Sequence, residues 1–119
     1  MAAIALKRVY EPPAAEDGTR VLVDRLWPRG LRKDKAKIDF WAKDLAPSDV
    51  LRRWFGHRPE RWEEFEKRYR AELRAPEAQP HVKALRALTR KDHVTLLYAA
   101  RDEKMNNAVV LHDCLRKRH

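Results

Sequence analysis

Between Val94 and Ala100 the chain runs Val-Thr-Leu-Leu-Tyr-Ala-Ala without a charged residue, in a protein of which 38% of residues are Asp, Glu, Lys or Arg. The whole stretch His93 to Ala100 is β-branched and apolar and reads as a strand. Its apolar positions do not alternate with polar ones, so both faces need cover. That is the situation of a strand in a parallel sheet. Two other segments can lie beside it. Ile4 to Tyr10 alternates well enough for a strand and is ended by Glu11-Pro12-Pro13. Arg20 to Leu26 (RVLVDRL) reads as a second, more buried strand, and AAEDGT between the two reads as a turn.

The middle and the end of the chain are helical. Ser48 can cap a short helix carrying Val50, Leu51, Trp54 and Phe55, which Gly56 stops. Pro59 opens a longer one with the stripe Trp62, Phe65, Tyr69 and Leu73. Its glutamates come early and its basic residues late, as the helix dipole favours. Pro80 opens a third, striped by Val82, Leu85 and Leu88. The last helix is expected from about Glu103 to about Arg116, with Asp102 as its N-cap and Val110, Leu111, Cys114 and Leu115 facing inward. The order strand, strand, helices, strand, helix predicts an α/β fold: a small, mostly parallel sheet flanked by helices, in a single compact domain over residues 1–119.

With 119 residues the chain can build one hydrophobic core and not two. No apolar run approaches a membrane span, and MAAIALKRVY has no charged region ahead of its short apolar patch, which argues against a membrane partner and a secretory signal. Cys114 is the single cysteine, so no intrachain disulfide forms, in keeping with a cytoplasmic protein. The formal charge of +9 suits nucleic acid, nucleotides or other anions, and it equally suits a soluble surface laced with ion pairs. Only the C-terminal RKRH is a local basic run.

In an open parallel sheet, ligands collect beyond the carboxyl ends of the strands. Two strands here end in motifs of one type. VLVDR is followed closely by Arg29, and LLYAARD leads into a helix. Side by side and parallel, they bring Asp24, Arg25, Arg29, Tyr98, Arg101 and Asp102 to one edge. There the arginines can hold a phosphate or carboxylate through paired N–H donors, and the helix start adds backbone donors. His57, in the tight turn WFGHRP, is a candidate general base or phosphate contact. Lys43 and Asp44 can reach the edge from the loop WAKDLAPS. Each residue also has a structural reading: Asp102 as a helix cap, Asp24 and Arg25 as an ion pair, Arg29 as a solvated turn arginine, Trp27 as a core or lid residue, Tyr98 as sheet packing, His57 as a surface histidine. Trp54, Trp62 and Tyr69 fall on helical stripes and read as core, as does Cys114. The histidines show no metal-ligand spacing, so no metal is expected, and no cofactor motif occurs among the phosphate-binding, nucleophile-elbow or zinc signatures.

Four stretches, VLVDRLWPRG, WAKDLAPS, LRRWFGHRPERWEEFEKRYRAEL and VTLLYAARDEKMNNAVVL, together resemble the YeaO-like family, domain of unknown function 488, in order and spacing over nearly the whole chain. The resemblance implies a compact cytosolic α/β domain and no particular reaction. Its motifs fall on Asp24, Arg25, Trp27, Arg29 and Gly30, on Lys43, Asp44, Pro47 and Ser48, on Trp54, Gly56 and His57, and on Tyr98, Asp102 and Asn106. Relatives usually carry a histidine before that asparagine. This chain has Met105 there, so no histidine role is carried over at that position, while Asn106 can still bond a ligand or the local backbone.

Three functions are consistent with these residues. The first is a site for a small anionic ligand, such as a nucleotide or phosphorylated metabolite, with or without chemistry. Asp24, His57 and Asp102 would then be candidate catalytic groups, and Arg25, Arg29, Lys43, Tyr98, Arg101 and Asn106 ligand contacts. The second is a nucleic-acid-binding module, which the charge supports and no recognition motif does. The third is an accessory or regulatory protein in which Asp24–Arg25 and Arg101–Asp102 are mutually satisfied ion pairs.

Overall fold

The computed structural model describes residues 3–117; Arg118 and His119 of the basic C-terminal run lie outside them, as do Met1 and Ala2. Four strands, β1 (Ile4–Arg8), β2 (Thr19–Leu22), β3 (Phe40–Trp41) and β4 (Val94–Tyr98), form one sheet in the order β1-β4-β2-β3, every pair parallel. The uncharged run is its centre. β4 is buried at all its positions and is flanked by β1 (Ile4 opposite Val94) and β2 (Thr19 opposite Val94). The helices are α1 (Lys33–Ala36), α2 (Asp49–Phe55), α3 (Trp62–Arg74), α4 (Gln79–Lys91) and α5 (Asn107–Arg116), with single 3-10 turns at Ala15–Asp17, Lys43–Leu45 and Pro59–Arg61. The α/β expectation holds. None of the described helices is long and apolar enough to cross a membrane.

Both faces of the sheet are covered, as an all-apolar central strand requires. Val21, Val23, Val94, Leu96 and Tyr98 point to one side. There they join Phe55, Phe65, Tyr69, Leu85, Val110 and Leu111 from the helices in the main core. Leu22 and Leu97 point to the other side, where Val9, Trp27, Leu31 and Ile38 close a smaller cluster. The helical stripes fall as their periodicity predicts: Phe65, Tyr69 and Leu73 are buried on α3, and Val82 and Leu85 on α4. Ser48 caps α2, its Oγ accepting from the Leu51 amide at 3.2 Å, and Gly56 ends it in the left-handed region at φ 52°.

Polar residues lie under the thinner face too. Arg20 and Asp17 are both buried. The Arg20 guanidinium donates to Asp17 Oδ2 at 2.5 Å and to the carbonyls of Lys37 and Ala36 at 3.0 and 2.9 Å. Asp17 also receives Lys7 Nζ and the Ala14 amide, and its carbonyl takes the Thr95 hydroxyl. The segment AAEDGT is therefore more than a turn, since it carries the buried counter-charge of the sheet.

Three expectations need correction. β2 ends at Leu22 rather than Leu26. The Val23 amide makes the last ladder bond, to the Leu97 carbonyl at 3.1 Å, and beyond it the Asp24 carboxylate, not its backbone, meets β4. α5 starts at Asn107, and its N-cap is Asn106 rather than Asp102. The third concerns β3, a two-residue edge strand inside WAKDLAPS and its approach, where a loop is expected.

Candidate functional site

At the carboxyl edge of the sheet the chain leaves β2 and β4 side by side, and an open cleft of about 830 Å³ lies above them. Asp24, Arg25, Arg29, His57, Arg101, Asp102 and Asn106 line it; Lys43 and Tyr98 do not. The Tyr98 side chain belongs to the buried core, where its direction on the strand sends it. The Lys43 ammonium lies 5.1 Å from the ring centre of Trp41, on the edge strand. Arg52 and Arg53 of α2 join the cleft instead. The only sequence signal for them is the doubled arginine beside Trp54, which reads as a helix surface.

Asp24 is the pin of the edge. Its Oδ2 accepts from the Ala99 amide at 2.9 Å, and its Oδ1 from the Asn107 side-chain amide at 3.2 Å. Asn107 Nδ2 also donates to the Val23 carbonyl, and the Asp24 carbonyl takes the Trp41 indole N–H. One residue thus ties the ends of β2 and β4, the start of α5 and the edge strand. Burial pushes the Asp24 carboxyl above its ordinary pKa, and the Ala99 amide, Asn107 and the neighbouring His57 only partly offset this. Arg25 is likewise engaged with the backbone, its Nε donating to the Pro47 carbonyl at 2.8 Å. Neither Asp24–Arg25 nor Arg101–Asp102 is an ion pair among the described residues, contrary to the pairing expected for an accessory protein.

Asp102 is exposed and curls the chain after β4. Its Oδ1 accepts from the amides of Lys104 and Met105 at 2.8 and 3.0 Å, and these amides hold its carboxyl below the usual range. Asn106 then starts the helix: its Oδ1 accepts from the Val109 amide at 3.0 Å, and its Nδ2 donates to the Asp102 carbonyl at 2.8 Å. Both bonds are made by a buried side chain, so Asn106→Ala is expected to cost about 1–2 kcal/mol. Chemical denaturation checks this, and an unchanged midpoint would show that the cap is dispensable.

His57 sits at the cleft in the left-handed region at φ 58°, directly after Gly56 at φ 52°. Histidine tolerates this conformation better than most side chains. Arg29 follows buried Pro28, in a turn that Gly30 completes at φ 75°. The turn is held by the Leu31 amide on the Pro28 carbonyl, the Trp27 indole on the Leu31 carbonyl and the Tyr10 hydroxyl on the Arg29 carbonyl. The Arg29 and Arg101 side chains are exposed and make no hydrogen bond or ion pair among the described residues. The cleft therefore carries five arginines against two aspartates, and one of those aspartates is fully occupied in holding the fold. Among the described residues no group of three His, Cys, Asp or Glu side chains is placed to hold a metal ion.

A second groove, of about 740 Å³, lies between α3, α4 and α5. Cys114 is half-buried there, 3.5 Å from an Arg70 nitrogen.

Residues 3–119 match a family model described as the inactive DUF488-N3 subclade. An uncharacterized protein of Mycobacterium tuberculosis (strain ATCC 25618 / H37Rv) is 44% identical over 115 residues, which cover 97% of this chain and 95% of the relative. The uncharacterized protein YeaO of Escherichia coli (strain K12) is 42% identical over 113 residues, covering 95% and 96%. No solved structure matches the chain.

Proposed function

The chain belongs to the YeaO-like family, in the group described as the inactive DUF488-N3 subclade, and on that premise we propose that it binds a small phosphate-bearing anion in the cleft above the carboxyl edge of its sheet, without turning it over. One observation carries this reading: Arg29 and Arg101 line the same cleft, exposed and without partners among the described residues. Exposed arginines on a protein surface are ordinary. Here they share a cleft with a carboxylate, Asp24, whose two oxygens already accept hydrogen bonds and which is too buried to reach out and neutralise them. An anion that enters supplies what the cleft lacks, and guanidinium groups meet phosphate oxygens in pairs.

The carboxylates support binding rather than chemistry. Asp24 is committed to Ala99 and Asn107. Asp102 keeps a lowered pKa and no proton to give at neutral pH. A subclade described as inactive fits a cleft in which the acids hold the walls and the arginines hold the guest.

Thermal denaturation in the presence of inorganic pyrophosphate tests this. A ligand at a hundred times its Kd stabilises by about 2.7 kcal/mol. The wild type is thus expected to melt several degrees higher in millimolar pyrophosphate. Each charge-assisted contact is worth about 1.5–3 kcal/mol, so Arg29→Ala and Arg101→Ala are each expected to weaken binding tenfold or more while leaving the ligand-free melting temperature unchanged. Equal stabilisation of the wild type and the Arg29→Ala/Arg101→Ala double variant would refute the site.

A further inference from the structure

The cleft has a second character beside its charge. Tyr10, just past the end of β1, and Leu26 line it with 44% and 55% of their surfaces exposed. Neither exposure is needed by the fold: the cores on both faces of the sheet close without them. Tyr10 is also held unusually firmly for an exposed ring. Its hydroxyl donates to the Arg29 carbonyl at 2.8 Å, which locks it to the turn that carries Arg29. The Arg8 guanidinium lies 5.2 Å from its ring centre. Arg8 is itself fixed, donating to the carbonyls of Ala100 and Ala99 at 2.9 and 3.2 Å. The ring is thus braced from one face and tethered at its tip, and it borders a cleft whose charge is carried by arginine.

Resting on the anion-binding reading above, we propose that the ligand is a nucleotide, with its base laid on the free face of Tyr10 and its phosphate directed to Arg29 and Arg101. A free phosphate or a sugar phosphate makes no use of a braced aromatic ring or of an exposed leucine beside it. A planar base uses both, because every base offers a π-face for stacking and excludes water from apolar neighbours. The tether is informative as well: the same Arg29 residue gives its side chain to the cleft and its carbonyl to Tyr10, so the platform is tied to the backbone from which the anion contact extends. A cleft of about 830 Å³ lies within the range of small-ligand sites. Stacking without hydrogen-bonded readout tolerates any base, so the platform selects nucleotides as a class.

Calorimetric titration with a matched pair of ligands tests the proposal. AMP and ribose 5-phosphate share sugar and phosphate and differ in the base. Wild type is expected to bind AMP about tenfold or more tightly than ribose 5-phosphate, the value of one base–aromatic stack. Tyr10→Leu is expected to erase that preference by weakening AMP alone. Tyr10→Phe, which keeps the ring and the Arg8 contact but drops the tether, is expected to retain most of it. Equal affinities of wild type for the two ligands overturn the platform while leaving anion binding intact. So does a Tyr10→Leu effect of the same size on both ligands, which would mean that Tyr10 acts only by holding the Arg29 turn. If neither ligand nor pyrophosphate binds, the anion site falls and the platform with it. The wild-type comparison decides the question even if a Tyr10 variant fails to fold.

Discussion

Asp17→Ala is expected to destabilise the protein by about 3–5 kcal/mol at pH 7, because it strips the counter-charge from a buried arginine. At this chain length that lowers the melting temperature by roughly 10–20 °C. The Arg20 side chain is 4% exposed, and Asp17 Oδ2 is its anionic partner at 2.5 Å. With Asp17 gone, Arg20 keeps its bonds to the carbonyls of Lys37 and Ala36 but has no charge to balance its own. A second substitution sharpens the test. If the cost lies in the orphaned charge, Asp17→Ala/Arg20→Met is less destabilised than Asp17→Ala alone. If it lies in the lost turn at Ala14, the double variant is worse. The pH dependence has a definite sign. Burial raises the Asp17 pKa, but the Ala14 amide, Lys7 and Arg20 outweigh it, and the net shift is downward from the ordinary 3.8. A carboxylate with a depressed folded pKa contributes stability that is present above its unfolded value and is lost as the pH falls through the folded one. The gap between wild type and Asp17→Ala is therefore expected to be full at pH 7 and to close below about pH 3.8. A gap that stays constant into acid would show that the carboxylate's charge does not matter.

Phe65→Ala is expected to cost about 3–5 kcal/mol as well, from a different cause. Phe65 is 2% exposed and lies at the centre of an aromatic stack, 4.3 Å from Phe55, 5.7 Å from Trp62 and 5.8 Å from Tyr69 between ring centres. It also reaches the floor of the cleft. Truncation removes both the buried ring and the surface on which the edge of α2 rests. Phe65→Leu, which leaves a much smaller cavity, is expected to cost clearly less. Urea denaturation of the pair distinguishes packing loss from a generic effect of substitution, since comparable costs for leucine and alanine would contradict the cavity account.

What the sequence made legible was periodicity. The uncharged run at Val94 needed two covered faces, and the stripes of α3 and α4 needed one each, so the layered architecture followed from spacing alone. Where spacing is silent, the structure departs from expectation. β3 has two residues, both exposed, and is a strand only because the Asp39 and Ala42 amides find the Arg20 and Leu22 carbonyls. The stretch RVLVDRL, with apolar residues on both sides of Asp24-Arg25, gives no reason to stop β2 at Leu22. That end is set by Asp24 reaching across to Ala99. Asp102 and Asn106 are equally good caps in isolation. The choice falls to Asn106, which both caps the helix and holds the Asp102 carbonyl. The edge where the arginines gather followed from two strands ending alike. Which of its residues are spoken for did not, since Asp24 and Arg25 make their bonds to groups distant in sequence. The ion pair in the AAEDGT turn is hidden differently: Arg20 is only three residues from Asp17, but nothing in the spacing shows that both are buried.

The central place of β4 has a consequence for how the chain comes to be folded. β1 pairs only with β4, and the other partner of β2 is the two-residue β3. The register joins Ile4 to Val94, 90 positions further along the chain. As the polypeptide leaves the ribosome, its first two strands have no sheet to enter until residues 94–98 emerge. Closing so long a loop before any reward from pairing is slow. The helices in between can form early as local structure, but they have nothing to cover. β4 is thus the keystone of the sheet: until it is present, β1 has no strand to pair with.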